Sequence, residues 1–251
     1  MYTRIKNPQE IEAMRQGGKI LANTLAVLKE KLAVGISTKE LSDIAAHELK
    51  AAGAAAAFLG YQGFPEVLCV SLNDEVVHGI PKKSKQIANG DIVSMDLGVR
   101  YDGMIVDGAI SAIAGTVSRQ KELLLRTTHE ALTAGIAEVR GGCHVGSISA
   151  AVELILRKGR YGIVRDLVGH GVGDQVHEDP NIPNYGKKGT GPRLESGMTI
   201  AIEPMATLGR ESVYIDIDGW TVRTRDHSIS AHFEHTVLIT DHGYEILTEI
   251  D

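Results

Sequence analysis

The stretch Ile92-Val93-Ser94-Met95-Asp96-Leu97-Gly98-Val99-Arg100-Tyr101-Asp102-Gly103-Met104-Ile105-Val106-Asp107-Gly108-Ala109-Ile110-Ser111-Ala112-Ile113 decides how this chain folds. Two apolar, β-rich runs flank Asp102-Gly103, a dipeptide that favours the tight turn of a hairpin. Each run carries one aspartate where strand sequence otherwise avoids charge. A two-residue loop at Asp102-Gly103 sets Asp96 opposite Ala109 with Asp107 on the diagonal. A loop at Tyr101-Asp102 sets the two aspartates face to face. Both registers put the carboxylates on one face, about 5–8 Å apart; a three-residue loop or a bulge would turn one of them over. Like charges on one face repel, and burying them uncompensated costs more still. A divalent cation resolves both problems, since carboxylate oxygens suit Mg, Mn, Ca and, with imidazole, Fe or Co. Taken alone, the pair is equally compatible with an aspartate that faces water or caps a turn.

The same anomaly recurs further along. Glu203 sits in Thr199-Ile200-Ala201-Ile202-Glu203-Pro204-Met205, and Glu234 in His232-Phe233-Glu234-His235-Thr236-Val237-Leu238-Ile239. A single buried Glu is usually matched by an Arg or protonated; four acids in four strands with few basic neighbours are not explained that way. His170 lies in Gly169-His170-Gly171-Val172-Gly173, where flanking glycines let other groups approach a strand end closely. Two Asp, two Glu and one His exceed the three protein ligands of one catalytic zinc. They suit two metals about 3.5–4 Å apart, bridged by carboxylates, which polarise a water for attack on a carbonyl or phosphoryl centre. Metal-assisted hydrolysis is the reaction class these residues indicate.

The rest of the chain is consistent with a globular enzyme. Its 251 residues carry 26 Lys+Arg against 32 Asp+Glu, a net charge of −6, which supplies no basic face for nucleic acid. Two cysteines, Cys69 and Cys143, are too few for a secreted disulfide framework and fit a reducing compartment. No apolar run reaches a membrane span, and Met1–Pro8 has no apolar core and reads as no signal peptide, so the expected location is cytoplasmic. Helices are expected from Asn7-Pro8 to before Gly35, from the Ser37/Glu40 capping box to near Gly53, over Ser118–Val139 and over Ser147–Arg157. Gly17-Gly18 is a weak point in the first; with Lys19 it makes no phosphate loop, because Ile20 replaces the needed Ser/Thr. Strands are expected over Val67–Leu72, Val76–His78, Ile163–Val168, Thr199–Met205, Val213–Ile217, Trp220–Thr224 and His232–Ile239. The order of helices, strands, helices, strands gives two similar halves, an α+β class.

These motifs together resemble the ligand series of the methionine aminopeptidases: Asp96 and Asp107 eleven apart, Gly169–Gly173, Ile202-Glu203-Pro204 and Phe233-Glu234-His235-Thr236. Asn73-Asp74-Glu75-Val76-Val77-His78-Gly79-Ile80-Pro81 resembles a further signature of that family. The match runs in order over nearly the whole chain and is to the type I enzymes, with no room for a type II insertion between Glu203 and Glu234 and no Cys/His-rich amino-terminal extension. The resemblance implies a pita-bread fold, two pseudo-symmetric halves around a central antiparallel sheet, with residues 1–251 as a single catalytic domain. It implies Asp96, Asp107, His170, Glu203 and Glu234 as ligands to two divalent ions, Mn, Fe or Co, with Asp107 and Glu234 bridging. It implies Glu203 as general base, His177 beside the developing oxyanion, and His78 at the scissile nitrogen or leaving amine. The implied reaction removes an N-terminal methionine, preferentially before a small second residue. The implied partners are peptides and nascent chains beginning with Met, with the ribosome as a further one; no membrane or nucleic-acid specificity is implied, and the chain is expected to be monomeric.

An apolar methionine pocket is expected from Tyr61, Phe64, Cys69, Trp220 and Phe58, with Val176 at its edge; each of these alone is equally compatible with plain core packing. Phe58, Val176 and His232 depart from residues common in the family, and strand alternation turns His232 to the face of Glu234. His235 falls on the opposite face. Cys143 has no base signal beside it and is not read as a nucleophile. Two other readings use the same constellation. Prolidase or aminopeptidase P chemistry goes with a large extra amino-terminal domain. A metal-free binding protein on this fold would have replaced ligands, whereas all five are intact.

Overall fold

The computed structural model of the protein describes residues 2–249. Met1, where the Met1–Pro8 reading begins, lies outside them. Helix α1 (Pro8–Lys31) starts at the expected cap: the Asn7 side chain accepts the Glu10 N–H, and the Glu10 carboxylate accepts the Asn7 N–H. Each satisfied end donor is worth about 1 kcal/mol. Helix α2 (Thr38–Ala51) is capped by the Ser37–Glu40 box as read from the sequence. Helices α3 (Arg119–Ile136) and α4 (Val145–Gly159) complete the set. Gly17-Gly18 does not break α1. A Cβ on Gly18 would lie 1.9 Å from the Leu247 carbonyl oxygen, so that position is glycine because another strand of chain crosses the helix there.

The quoted stretch forms a hairpin of two ten-residue strands, Ile92–Tyr101 and Met104–Ile113. Tyr101 pairs with Met104, and Asp102 and Gly103 both take positive φ, 45° and 84°. That is the primed turn whose twist matches the strands. The register is the one closed at Asp102-Gly103: Asp96 faces Ala109 and Asp107 faces Gly98. Around this hairpin runs an antiparallel central sheet in the order Ala55–Ala56, Ile92–Tyr101, Met104–Ile113, Glu234–Ile239, Thr199–Ile202, Gly169–Gly171, Glu178–Ile182. Cys69–Leu72 joins the Ile92–Tyr101 strand and Tyr244–Ile246 joins the Glu234–Ile239 strand.

Helices cover one face of the sheet in two groups. Leu21, Leu25 and Leu28 of α1 pack with Val93, Met95, Leu97 and Val106 of the hairpin. Leu132 and Ile136 of α3 and Ile148 of α4 pack with Ile200, Ile202, Val237 and Ile239. A fully buried Leu or Ile contributes roughly 1.5–3 kcal/mol, so these two clusters set which sheet face is closed. The two halves around a central antiparallel sheet are the expected α+β architecture.

Three strand expectations are corrected. Thr199–Met205 is two strands, Thr199–Ile202 and Met205–Thr207, because Pro204 has no N–H to extend the ladder. His232–Ile239 also divides, into Ser230–His232 and Glu234–Ile239, directly opposite that break. Both chains leave the central sheet there and pair with each other in a small sheet with Gly162–Ile163. Of the expected Ile163–Val168 strand only Ile163 is in a ladder, in the two-residue strand Gly162–Ile163. A second small sheet joins Val213–Ile215, Val222–Thr224 and Glu75–Val77.

Candidate metal centre

Strand pairing carries five donor side chains to one face. Asp96 is opposite Ala109, and Ala109 is opposite Glu234, with Asp107 two residues from Ala109 on the same strand face. Thr236, two beyond Glu234, is opposite Ala201, and Ala201 is opposite His170. Glu203 is two beyond Ala201, just where Pro204 ends the strand. Since side chains two apart share a face, all five point away from the helices. Asp96, Asp107, His170 and Glu234 are buried, and the Glu203 side chain is 13% exposed.

Their atoms converge. Ligand atoms of Asp107, His170 and Glu234 lie within 4.8 Å of one another. His170 Nε2 is 3.4 Å from Glu203 Oε1, and its Nδ1 stands 3.0 Å from the Gly171 carbonyl, which fixes the ring and leaves Nε2 as the free donor atom. The Thr236 hydroxyl accepts the Asp107 N–H and donates to the Asp107 carbonyl, both at 2.8 Å, locking that residue in place. Asp96 Oδ1 and Glu234 Oε1 are buried with no hydrogen-bond partner. Among the described residues lining the cavity none is Lys or Arg. Burial and neighbouring carboxylates push Asp96, Glu203 and Glu234 well above the usual carboxylate range, and burial raises Asp107 to about 7. Burial lowers His170 to about 3, so its imidazole is neutral and can donate a lone pair. Orphaned acid oxygens, a neutral imidazole and mutual repulsion are what a site for hard to borderline divalent cations looks like before the charge is supplied.

Relatives of known family match the chain over nearly its whole length. The model for metallopeptidase family M24 matches residues 12–241. Methionine aminopeptidase 1 of Bacillus subtilis (strain 168) is 44% identical over 245 residues, covering 98% of each chain. The chain belongs to the methionine aminopeptidases of metallopeptidase family M24. A crystal structure of methionine aminopeptidase from Thermotoga maritima superimposes with a TM-score of 0.97 at 42% identity, covering 99% of this chain and 100% of that one. The prolidase of Pyrococcus furiosus, at 23% identity and a TM-score of 0.77, shares the fold; this chain spans 66% of it. Divalent metal use follows from the family together with the buried donor cluster.

Beside the donors, this M24 chain has a cavity of about 180 Å³. Phe58, Tyr61, Phe64, Cys69, His78, His177 and Trp220 line it, as expected from the sequence. Phe64 meets Trp220 edge-on at 5.2 Å, and His78 meets it at 6.4 Å. Val176 does not line the cavity; it is buried behind it, packed with Phe58, Phe64, Cys69, Ile105 and Val172. Burial and the Asp96 charge raise the Cys69 thiol well above its usual range, so it is an apolar wall rather than a nucleophile. His78 adopts a left-handed backbone, φ 58°, and burial with His177 nearby lowers it to about 4. His177 stands at the exposed mouth, its ring 4.4 Å from that of His170 and its Nδ1 2.9 Å from the Tyr61 hydroxyl.

Some site residues escaped the sequence reading. Leu167 and Val168 line the cavity; the only signal was an apolar pair preceding Gly169-His170. Thr236 gave none, because a strand Thr is ordinary. His232 is on the Glu234 face as expected, 3.6 Å from Glu203 and 3.8 Å from Glu234, but the structure gives neither ring nitrogen a hydrogen bond. His235 turns away and meets the Thr248 hydroxyl at 2.9 Å.

Proposed function

We propose that this protein is an aminopeptidase that removes methionine from the amino terminus of peptides and new proteins, using two divalent ions held by Asp96, Asp107, His170, Glu203 and Glu234. The observation that carries this reading is the junction of the buried donor face with a largely apolar cavity. Four carboxylates carry four negative charges, which two divalent ions balance and one does not. Asp107 and Glu234 would contribute to both ions, Asp96 to one of them, and His170 and Glu203 to the other. Mn, Fe and Co all suit this mixed oxygen and nitrogen set. When bound, the metal supplies Lewis acidity that polarises the scissile carbonyl and lowers the pKa of water.

The chain's own residues do the rest. Glu203 accepts the proton of the attacking water, its basicity set by burial beside other carboxylates. The Tyr61 hydroxyl stands 2.9 Å from His177 Nδ1; in the tautomer in which that nitrogen accepts from the hydroxyl, the ring proton is on Nε2, where it is a hydrogen-bond donor for the oxyanion. His78, neutral at pH 7, meets the scissile nitrogen or the departing amine. Phe58, Tyr61, Phe64, Cys69 and Trp220 enclose the methionine side chain; a flexible thioether packs well against aromatic and sulfur walls. The free α-amino group lies towards Asp96. A cavity of about 180 Å³ with room for one side chain restricts the reaction to the first peptide bond and favours a small second residue.

The test is hydrolysis of Met-Ala-Ser and of a matched Xaa-Pro peptide by the metal-loaded protein, with metal content measured on the same sample. Release of methionine from Met-Ala-Ser with two equivalents of metal is expected. Cleavage of the Xaa-Pro peptide alone would transfer the chain to the prolidase reading. A protein that takes up no Mn, Fe or Co would transfer it to a binding role.

A further inference from the structure

His177 closes the segment 172–177, which leads from the Gly169–Gly171 strand to the Glu178–Ile182 strand. The next residue, Glu178, turns its side chain back into that loop. One carboxylate oxygen accepts the N–H groups of Asp174 at 2.7 Å and Gln175 at 2.9 Å. The other faces the Lys6 ammonium at 3.5 Å, and both side chains are fully buried. Lys6 Nζ also donates to the Thr3 hydroxyl at 2.8 Å and to the Arg4 carbonyl at 3.2 Å. From the outside, the Arg4 guanidinium donates to Asp174 at 2.9 Å. The Thr3 N–H reaches the Asp179 carbonyl at 2.7 Å. A Cβ on Gly173, φ 149°, would lie 2.4 Å from Lys6 Cε, so the loop presses directly on the lysine stem.

This ion pair gains little net stability, because desolvating both charges offsets most of their attraction. Neither Lys6 nor Glu178 lines the cavity. What the pair does do is hold both ends of a short loop whose last residue presents His177. Catalytic groups need placement within fractions of an ångström, and a displacement of about 1 Å can cost on the order of a hundredfold in rate. We propose that Lys6 and Glu178 are positioning residues for His177, forming with Thr3 a buried clamp, braced from outside by Arg4, that sets the oxyanion donor against the metal site. This rests on the role given to His177 above.

The experiment uses the metal-loaded full chain with Lys6→Met, the charge-free pair Lys6→Met with Glu178→Gln, His177→Ala, and the pair combined with His177→Ala. The pair leaves no unmatched buried charge, so it stays foldable if the single variant does not. Turnover of Met-Ala-Ser, metal affinity by calorimetry and hydrogen exchange at the Asp174 and Gln175 amides are measured. The pair is expected to lower kcat at least tenfold, with KM and metal affinity within threefold, and to speed exchange of the loop amides at least tenfold. In the His177→Ala background the same pair is expected to change kcat less than twofold. An equal tenfold loss in that background, or loop exchange that does not change in a folded variant, overturns the clamp. Full turnover by His177→Ala would instead remove His177 from the oxyanion role, with loop exchange still deciding whether the clamp exists.

Discussion

Stripping the metal from this protein turns its active site into a pH-dependent liability. Asp96, Glu203 and Glu234 have folded-state pKa values well above their ordinary range, and Asp107 is raised to about 7. A carboxylate whose folded pKa is raised contributes stability below its unfolded pKa and loses it as pH rises through the folded one. The neutral buried histidines act in the opposite sense: His78 and His235 at about 4, His170 and His232 at about 3. They lower stability as pH falls through the unfolded value of about 6.5, and they are nearly silent only above about 7.5, where the histidines of the unfolded chain are neutral too. Between pH 7.5 and 8.5 the carboxylates dominate, and each proton kept in the native site but absent from the unfolded chain costs roughly 1.4 kcal/mol per pH unit. One proton retained over this interval removes about 1.4 kcal/mol, a sizeable part of a typical 5–15 kcal/mol. The assay is urea unfolding across pH 7.5–8.5, with a chelator and with saturating Mn. The chelated protein should lose about 1.4 kcal/mol or more, while the loaded protein should stay nearly flat, because the ions replace the protons. A metal-free stability that is level or rises with pH, or equal slopes in the two states, would refute the argument that the four acids lack a countercharge of their own.

Other perturbations test separate parts of the structure. His78→Ala should lower turnover at least tenfold with metal content unchanged; loss of metal would make His78 a ligand instead. Gly18→Ala should destabilise the chain by about 1–3 kcal/mol, because its methyl would meet the Leu247 carbonyl, and thermal unfolding measures it. Asn7→Ala removes the reciprocal cap of α1 and should cost about 1 kcal/mol without changing the metal site, seen as a lowered Tm at constant metal affinity.

Local chemistry was legible wherever neighbours along the chain determine it. The Asn7 and Ser37 caps stand where their hydrogen-bonding side chains put them, and Asp102-Gly103 closes its hairpin in one of the two registers its turn chemistry allows. Strand ends were less legible. Thr199–Met205 reads as a continuous strand, yet Pro204 sends the chain into a different sheet, and only that sheet's partners, Ser230–His232, show where it goes. Gly18 reads as a flaw in a helix until Leu247, remote in sequence, lies across it. The Lys6–Glu178 pair left no trace, since two charges 172 positions apart look like surface residues in a linear chain.

By itself, the amino-acid order settles which residues are chemically out of place: Asp96, Asp107, Glu203 and Glu234 interrupt apolar strands, and His170 sits between glycines. Through turn and alternation it also offers two hairpin registers in which the two aspartates share a face, and the structure adopts one of them. Tertiary structure alone decides that the remaining three join them. That depends on Glu234 lying opposite Ala109, and on Ala201 lying between Thr236 and His170. Shifting any of these pairings by one residue would turn a donor into the helical core. Register between distant strands is set by which apolar faces close against α1, α3 and α4, and those contacts exist only once the whole sheet has formed.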